Sequence, residues 1–287
     1  MEVSMFKKAL LALPVAMAVG VAGTAAQAEW QDPNDVLQKL LEAQPDSKYL
    51  HQSEMNIMMM PDNPALYLLD DGEELFYKER GPNNVSLEAC DFGKGEGVLE
   101  GAYVRLPRYF DDVGKVMDFE QRLVHCMKEI QGFTEDDSAV SQRHGSGSDI
   151  MRLTTYIAHQ SSGYEWDLPL DHPEEQAMRD AGEVLFFRRG GAMDFNCASC
   201  HGQSGKQIRA SVLPEMRNSQ EWTKAVSWPA HRAGQDNVRS QNHRIRGCLW
   251  QMRHAGILPD TPVNTALISY WNDAARGEPA ILPDLKR

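Results

Sequence analysis

Basic charge is scarce in this sequence: 29 Lys and Arg stand against 41 Asp and Glu, a net charge of −12. A surface of that sign excludes a nucleic-acid binder, because phosphate contacts need clustered cations. It still permits a small anion held in a local basic pocket. Long apolar runs are scarce too. One runs from Ala9 to about Val21, shorter than the ~20 residues a bilayer span requires, and no later stretch is apolar enough, so no membrane span is expected. Cysteine is limited to five residues, an odd number that leaves at least one sulfur without a disulfide partner. Disorder is excluded by a globular balance of 42% hydrophobic and 24% charged residues, and 287 residues allow two ordinary domains.

The short apolar run has a role of its own. Lys7 and Lys8 precede it, and Ala26-Gln27-Ala28 follows as a small-x-small cleavage site. That is the three-part pattern of a secretory signal peptide, expected over 1–28. The mature chain is then expected to be soluble and periplasmic, in an oxidising compartment.

Cys197-Ala198-Ser199-Cys200-His201 reads C-x-x-C-H, the attachment sequence of c-type haem. Two thiols one helical turn apart add to the haem vinyl groups, and the adjacent His becomes the proximal iron ligand. A redox dithiol would follow a strand, and no strand-like run leads into Cys197. A zinc site would need two more ligands at matching spacing. Asp171-His172-Pro173 marks a helix start. Met178, Ala181, Gly182, Leu185 and Phe186 give that helix an apolar stripe, and Ala266, Leu267, Tyr270 and Trp271 belong to a second, near the C-terminus. The region from about 172 to the end resembles a cytochrome c domain, in which such helices cross closely.

The chain also matches itself. Gly72-Glu73-Glu74-Leu75-Phe76-Tyr77 parallels Gly182-Glu183-Val184-Leu185-Phe186-Phe187 at an offset of 110. At that offset Cys90 falls on Cys200, Leu87 on Cys197 and Asp91 on His201. Arg122-x-x-x-Cys126 parallels Arg244-x-x-x-Cys248 at an offset of 122, and 151–158 resembles 264–271. The expected architecture is mainly α, with two tandem cytochrome c-like domains: a degenerate one at 29–160 without haem, a linker at 161–170, and a haem-binding one at 171–287. Cys90, Cys126 and Cys248 allow three pairings. The repeat favours Cys90–Cys126 across a lost haem position and leaves Cys248 free.

Cys248 is either a buried inert thiol or a functional one. Arg232, Arg239, Arg244, Arg246 and Arg253 crowd the stretch 231–254 with Asp236 as its one acid. Clustered guanidinium groups lower a thiol pKa and hold oxyanions by paired hydrogen bonds. A C-x-x-C-H followed by R-x-x-x-C-x-x-Q-M-R, Arg244 to Arg253, after a related domain, resembles the SoxA family of thiosulfate-oxidising cytochromes over nearly all of 29–287. The missing first C-x-x-C-H resembles the family's single-haem form. The resemblance implies one haem c on Cys197, Cys200 and His201. It implies Cys248 as distal iron ligand and persulfide-bearing nucleophile, and Arg244 as the substrate-binding residue. It further implies an L-cysteine S-thiosulfotransferase that joins thiosulfate to the cysteine of a carrier protein, SoxYZ. A SoxX-like small cytochrome subunit would be the partner and a soluble cytochrome c the electron acceptor. The rival reading is a plain electron carrier with Met216, Met252 or a His as distal ligand.

Other features carry less. Met55, Met58, Met59 and Met60 form a soft cluster whose commoner role is packing. Glu174, Glu175, Asp111 and Asp112 read as solvated charges. His159, His172 and His231 lack metal-site spacing.

Overall fold

The computed structural model describes residues 62–143, 147–208, 211–255 and 261–286. The signal peptide expected at 1–28 and the Met55–Met60 cluster lie outside the described residues. No helix among the described residues is long and apolar enough to cross a membrane.

Among the described residues, eight helices carry the fold. In the first half, α1 (Leu69–Tyr77) follows a 3₁₀ turn at Pro64–Leu68 that the Asn63 side chain caps. Then come α2 (Phe119–Glu129) and α3 (Asp149–His159), with a single helical turn at Ser138–Ser141 between them. The second half holds α4 (Pro173–Phe187), α5 (Cys197–His201), α6 (Ser219–Val226), α7 (Gln241–Gln251) and α8 (Pro262–Asp273). His172 caps α4 in a reciprocal box with Glu175, Pro173 occupies the first turn, and Asn196 and Ser199 do the same for α5.

Strands are short. β1 (Arg108–Phe110) pairs antiparallel with β2 (Lys115–Met117), and β3 (Gln207–Ile208) with β4 (Ser211–Val212). β5 (Ala230–Arg232) sits between antiparallel β6 (Asn237–Arg239) and parallel β7 (Asp284–Lys286).

Two helix crossings organise these elements. A Cβ placed on Gly182 of α4 would collide with the Ala266 carbonyl and Tyr270 Cβ of α8; one on Gly72 of α1 would collide with the Arg152 carbonyl and Tyr156 Cβ of α3. Only glycine permits backbones this close. Other features recur as well. The bridges Arg80–Val85 and Gly190–Phe195 match at the offset of 110, each enclosing a residue at φ 50°, Asn84 and Asp194. The hairpins β1–β2 and β5–β6 share a register, and the helices after them, α2 and α7, start at the equivalent caps Asp118 and Ser240.

The core runs without a break through both halves, from Phe76 and Phe92 to Trp222 and Trp271. The 161–170 segment has no helix, yet Ser161 and Trp166 are fully buried, and the Trp166 amide donates to the Glu278 carbonyl at 3.0 Å. Cys90 and Cys126 form a disulfide inside the first half.

Where the starts of α2 and α7 meet, the core turns polar. Asp118, Glu120, Gln241, Asn242, Asn264 and Asn272 are all buried. Gln241 Nε2 donates to Asn272 Oδ1 at 2.7 Å, and Asn264 bonds Asn242. A gap about the size of one water lies among Tyr103, Asp118, Glu120, Asn242 and Asn272. Glu120 Oε2 has no hydrogen-bond partner. Burial, then the Asp118 charge, push the Glu120 carboxyl up to about 7, while hydrogen bonds from Ser240 and Asn242 oppose the rise.

Two outcomes follow from this packing. Gly72→Ala and Gly182→Ala each lower stability by about 1–3 kcal/mol in denaturant unfolding, whereas Gly247→Ala, whose added Cβ meets nothing within 4 Å, does not. Folded Glu120 keeps a proton that the unfolded chain releases above its ordinary carboxyl pKa, so stability falls as pH rises from about 4.5 to about 7 and levels off beyond. Glu120→Gln removes that fall: the variant matches wild type near pH 4.5 and exceeds it at pH 8, by on the order of 3 kcal/mol. Denaturation midpoints across that range measure the difference.

Candidate functional site

The second half brings three free thiols together. Cys197 and Cys200 lie one turn apart on α5, Cys197 buried and Cys200 half-buried, and Cys248 comes from α7. Their proximity shows in their titration. Burial pushes the Cys197 thiol up to about 12, and burial also raises Cys200; in both, the nearby Cys248 adds to the rise.

His201 ends α5. Its Nδ1 hydrogen-bonds the Pro214 carbonyl at 2.8 Å, and Trp222 meets its ring edge-on with centroids 5.2 Å apart. Burial holds the imidazole below its ordinary pKa, and the Arg244 charge pushes the same way. The ring is therefore neutral at pH 7, with Nδ1–H as donor and Nε2 left as a lone-pair ligand. Trp222 is fixed in turn by Phe186 and by its Nε1 bond to the Trp271 carbonyl at 2.8 Å. Two unbridged thiols beside an oriented imidazole are the donor set that a c-type haem takes. The residues present fit that group.

Arg244 stands one turn before Cys248 on α7. Its charge acts on Cys200 and His201, and among the described residues its guanidinium makes no hydrogen bond or ion pair. Three other arginines of the cluster have partners of their own. Arg246 is exposed and bonded to His243, Arg253 stacks over Trp250 at 4.6 Å, and Arg239 bonds Gln235. Met216 and Met252 are buried in the core.

The first half is different at each equivalent position. Cys90 is spent on Cys126, and Asp91 Oδ1 accepts from the Gly93 and Gly95 amides at 2.6 and 2.8 Å. Leu87 is fully buried.

Some participants are invisible in the sequence. The Pro214 carbonyl and Lys206, which donates to the Ser199 carbonyl at 2.7 Å, contribute through tertiary contacts alone. Lys286, on β7, feels the Arg244 charge. His159 and His172 have structural partners, the Leu282 carbonyl and the start of α4.

A family model described as "SoxA/TsdA, cytochrome c domain" matches residues 71–166, the half without the C-x-x-C-H. The L-cysteine S-thiosulfotransferase subunit SoxA of Hydrogenophilus thermoluteolus is 37% identical over 227 residues, covering 78% of this chain and 83% of the relative. A SoxA of Hydrogenobacter thermophilus is 31% identical over 243 residues, covering 84% and 85%. The fold is similar to that in the crystal structure of SoxXA from P. pantotrophus, with TM-score 0.64, 21% identity, and coverage of 78% and 79%. With identity of this level across most of both chains, this protein belongs to the SoxA family of L-cysteine S-thiosulfotransferase subunits.

Proposed function

We propose that this chain is the periplasmic catalytic subunit that joins thiosulfate to a cysteine of a sulfur-carrier protein, SoxYZ, with a SoxX-like cytochrome as partner. The observation that carries the reading is the juxtaposition of Cys248 with the haem-attachment thiols and with Arg244, a guanidinium that has no ion-pair partner among the described residues. A plain electron carrier needs no such unpaired cation beside a thiol.

One haem c would be held by Cys197, Cys200 and His201, with Cys248 as a further iron ligand. When bound, it would supply an electron acceptor for the sulfur chemistry. The half from 29 to 160 is read as a second cytochrome c-like domain that carries no haem, since its Cys90 is closed into a disulfide and Asp91 stands where the histidine would be. The segment 161–170 joins it to the catalytic half at 171–287.

The chain's own residues would act as follows. Arg244 neutralises and orients the thiosulfate dianion. The Cys248 thiolate bonds to the terminal sulfur of thiosulfate, giving Cys248–S–S–SO₃⁻ and two electrons, which leave through the cytochromes to a soluble cytochrome c. The carrier's cysteine thiolate then attacks the sulfur next to Cys248 Sγ. It takes away S–SO₃⁻ and returns Cys248 as thiolate.

Replacing Cys248 by Ser in the haem-loaded complex is expected to lower conjugation to the carrier by more than about a hundredfold. Arg244→Ala raises KM for thiosulfate roughly tenfold or more with a smaller change in kcat. Wild-type rates in Cys248→Ser would refute the assignment.

A further inference from the structure

The internal repeat supplies a control for the catalytic half. From hairpin to helix the halves correspond without a gap at the offset of 122: Arg108–Phe110 and Lys115–Met117 fall on Ala230–Arg232 and Asn237–Arg239, and Phe119–Glu129 on Gln241–Gln251. The residue before each second strand pair begins to lengthen, Gly114 or Asp236, has positive φ in both. Arg122 is thus the counterpart of Arg244.

The two arginines live differently. Arg122 is neutralised inside its own half: its Nη1 lies 2.7 Å from Asp112 Oδ2, its Nε donates to the Asp91 carbonyl at 2.7 Å, and it lies over the Phe110 ring at 4.1 Å. His125 Nε2 stands 3.8 Å from the same carboxylate. In the catalytic half these partners are replaced. Gly234 stands for Asp112, Gly247 for His125, and Arg232 for Phe110. Arg244 is left without an ion pair among the described residues, and a Cβ on Gly247 would enter open space beside Cys248. A glycine inside a helix is destabilising relative to alanine, and no packing contact requires it at 247.

We propose that Gly234 is a specificity-determining residue of the thiosulfate site. By withholding the carboxylate that the first half supplies at the same place, it leaves the Arg244 charge for an external anion to neutralise. Gly247 keeps the approach to Cys248 clear. Asp112 is the built-in counter-ion of the silent copy. A carboxylate tethered within reach of a guanidinium competes at a high effective concentration, so an aspartate at 234 would shut the site without touching a residue that contacts the substrate. The inference rests on Arg244 being the anion-binding residue.

The test is thiosulfate titration by calorimetry of the haem-loaded full chain with its partner subunit, in the absence of carrier. Gly234→Asp is expected to weaken binding at least tenfold and to raise KM in proportion, with kcat and the haem absorption spectrum unchanged. Gly234→Asn, of equal volume and no charge, stays within about twofold of wild type. Asp112→Gly, remote from the catalytic thiols, is expected to add a second, weaker thiosulfate site while leaving activity unchanged. Binding by Gly234→Asp as tight as wild type, equal losses in the Asp and Asn variants, or no second site in Asp112→Gly would each overturn the proposal. A wild-type protein that binds no thiosulfate would instead refute the assignment of Arg244, while the Asp112→Gly arm still reports on the counter-ion.

Discussion

The constraint on which the rest depends is the contact of α4 with α8 at Gly182, where a side chain would strike the Ala266 carbonyl. That close crossing sets the position of α8. Tyr270 then meets Phe186, and the Trp271 carbonyl receives the Trp222 indole. Trp222 is what the His201 ring leans against. A chain of packed groups therefore runs from one missing Cβ to the imidazole that orients the cofactor site. Each link is a close packing contact, so a shift at the crossing is transmitted toward His201.

The same frame occurs twice with opposite outcomes. Gly72 makes the same crossing with α3, and the hairpins and capped helices correspond residue for residue. What separates the copies is a few side chains: a histidine against Asp91, a free Cys248 against the bridged Cys126, and an Arg244 with no ion pair among the described residues against the Asp112-bound Arg122. Fold and chemistry are thus separable here, and the chemistry lies in positions that leave the packing unchanged. The first half also supports the second structurally. Its α2 brings Asp118 and Glu120 against the start of α7, the helix that carries both Arg244 and Cys248.

Much of this was legible in the residues, for physical reasons. The C-x-x-C-H is local, so its spacing carries its meaning, and Arg244 and Cys248 share a helix face by being four apart. The start of α4 could be read from His172-Pro173 because caps are sequence-local. The Cys90–Cys126 bond in the structure is the pairing the repeat favours. Elsewhere the pattern was silent. Strands of two or three residues, such as Ala230–Arg232 and Asp284–Lys286, are too short to show a period. Pro214 and Lys206 act through contacts that only the folded chain creates. The sequence marked 161–170 as a linker, and it could not tell that Trp166 would be buried in the core. Nor does the arginine cluster act as one: sequence proximity gathered five guanidinium groups, and in the fold the Arg244 charge acts on Cys200 while Arg246 bonds His243 and Arg253 stacks over Trp250.

The central claim is that Cys248 and the haem share one site. Low-temperature electron paramagnetic resonance of the oxidised, haem-loaded protein tests it most directly, comparing wild type with Cys248→Ala. Low-spin signals of histidine–thiolate ligation that vanish in the variant are the predicted result. An unchanged spectrum would place Cys248 away from the iron and contradict the account.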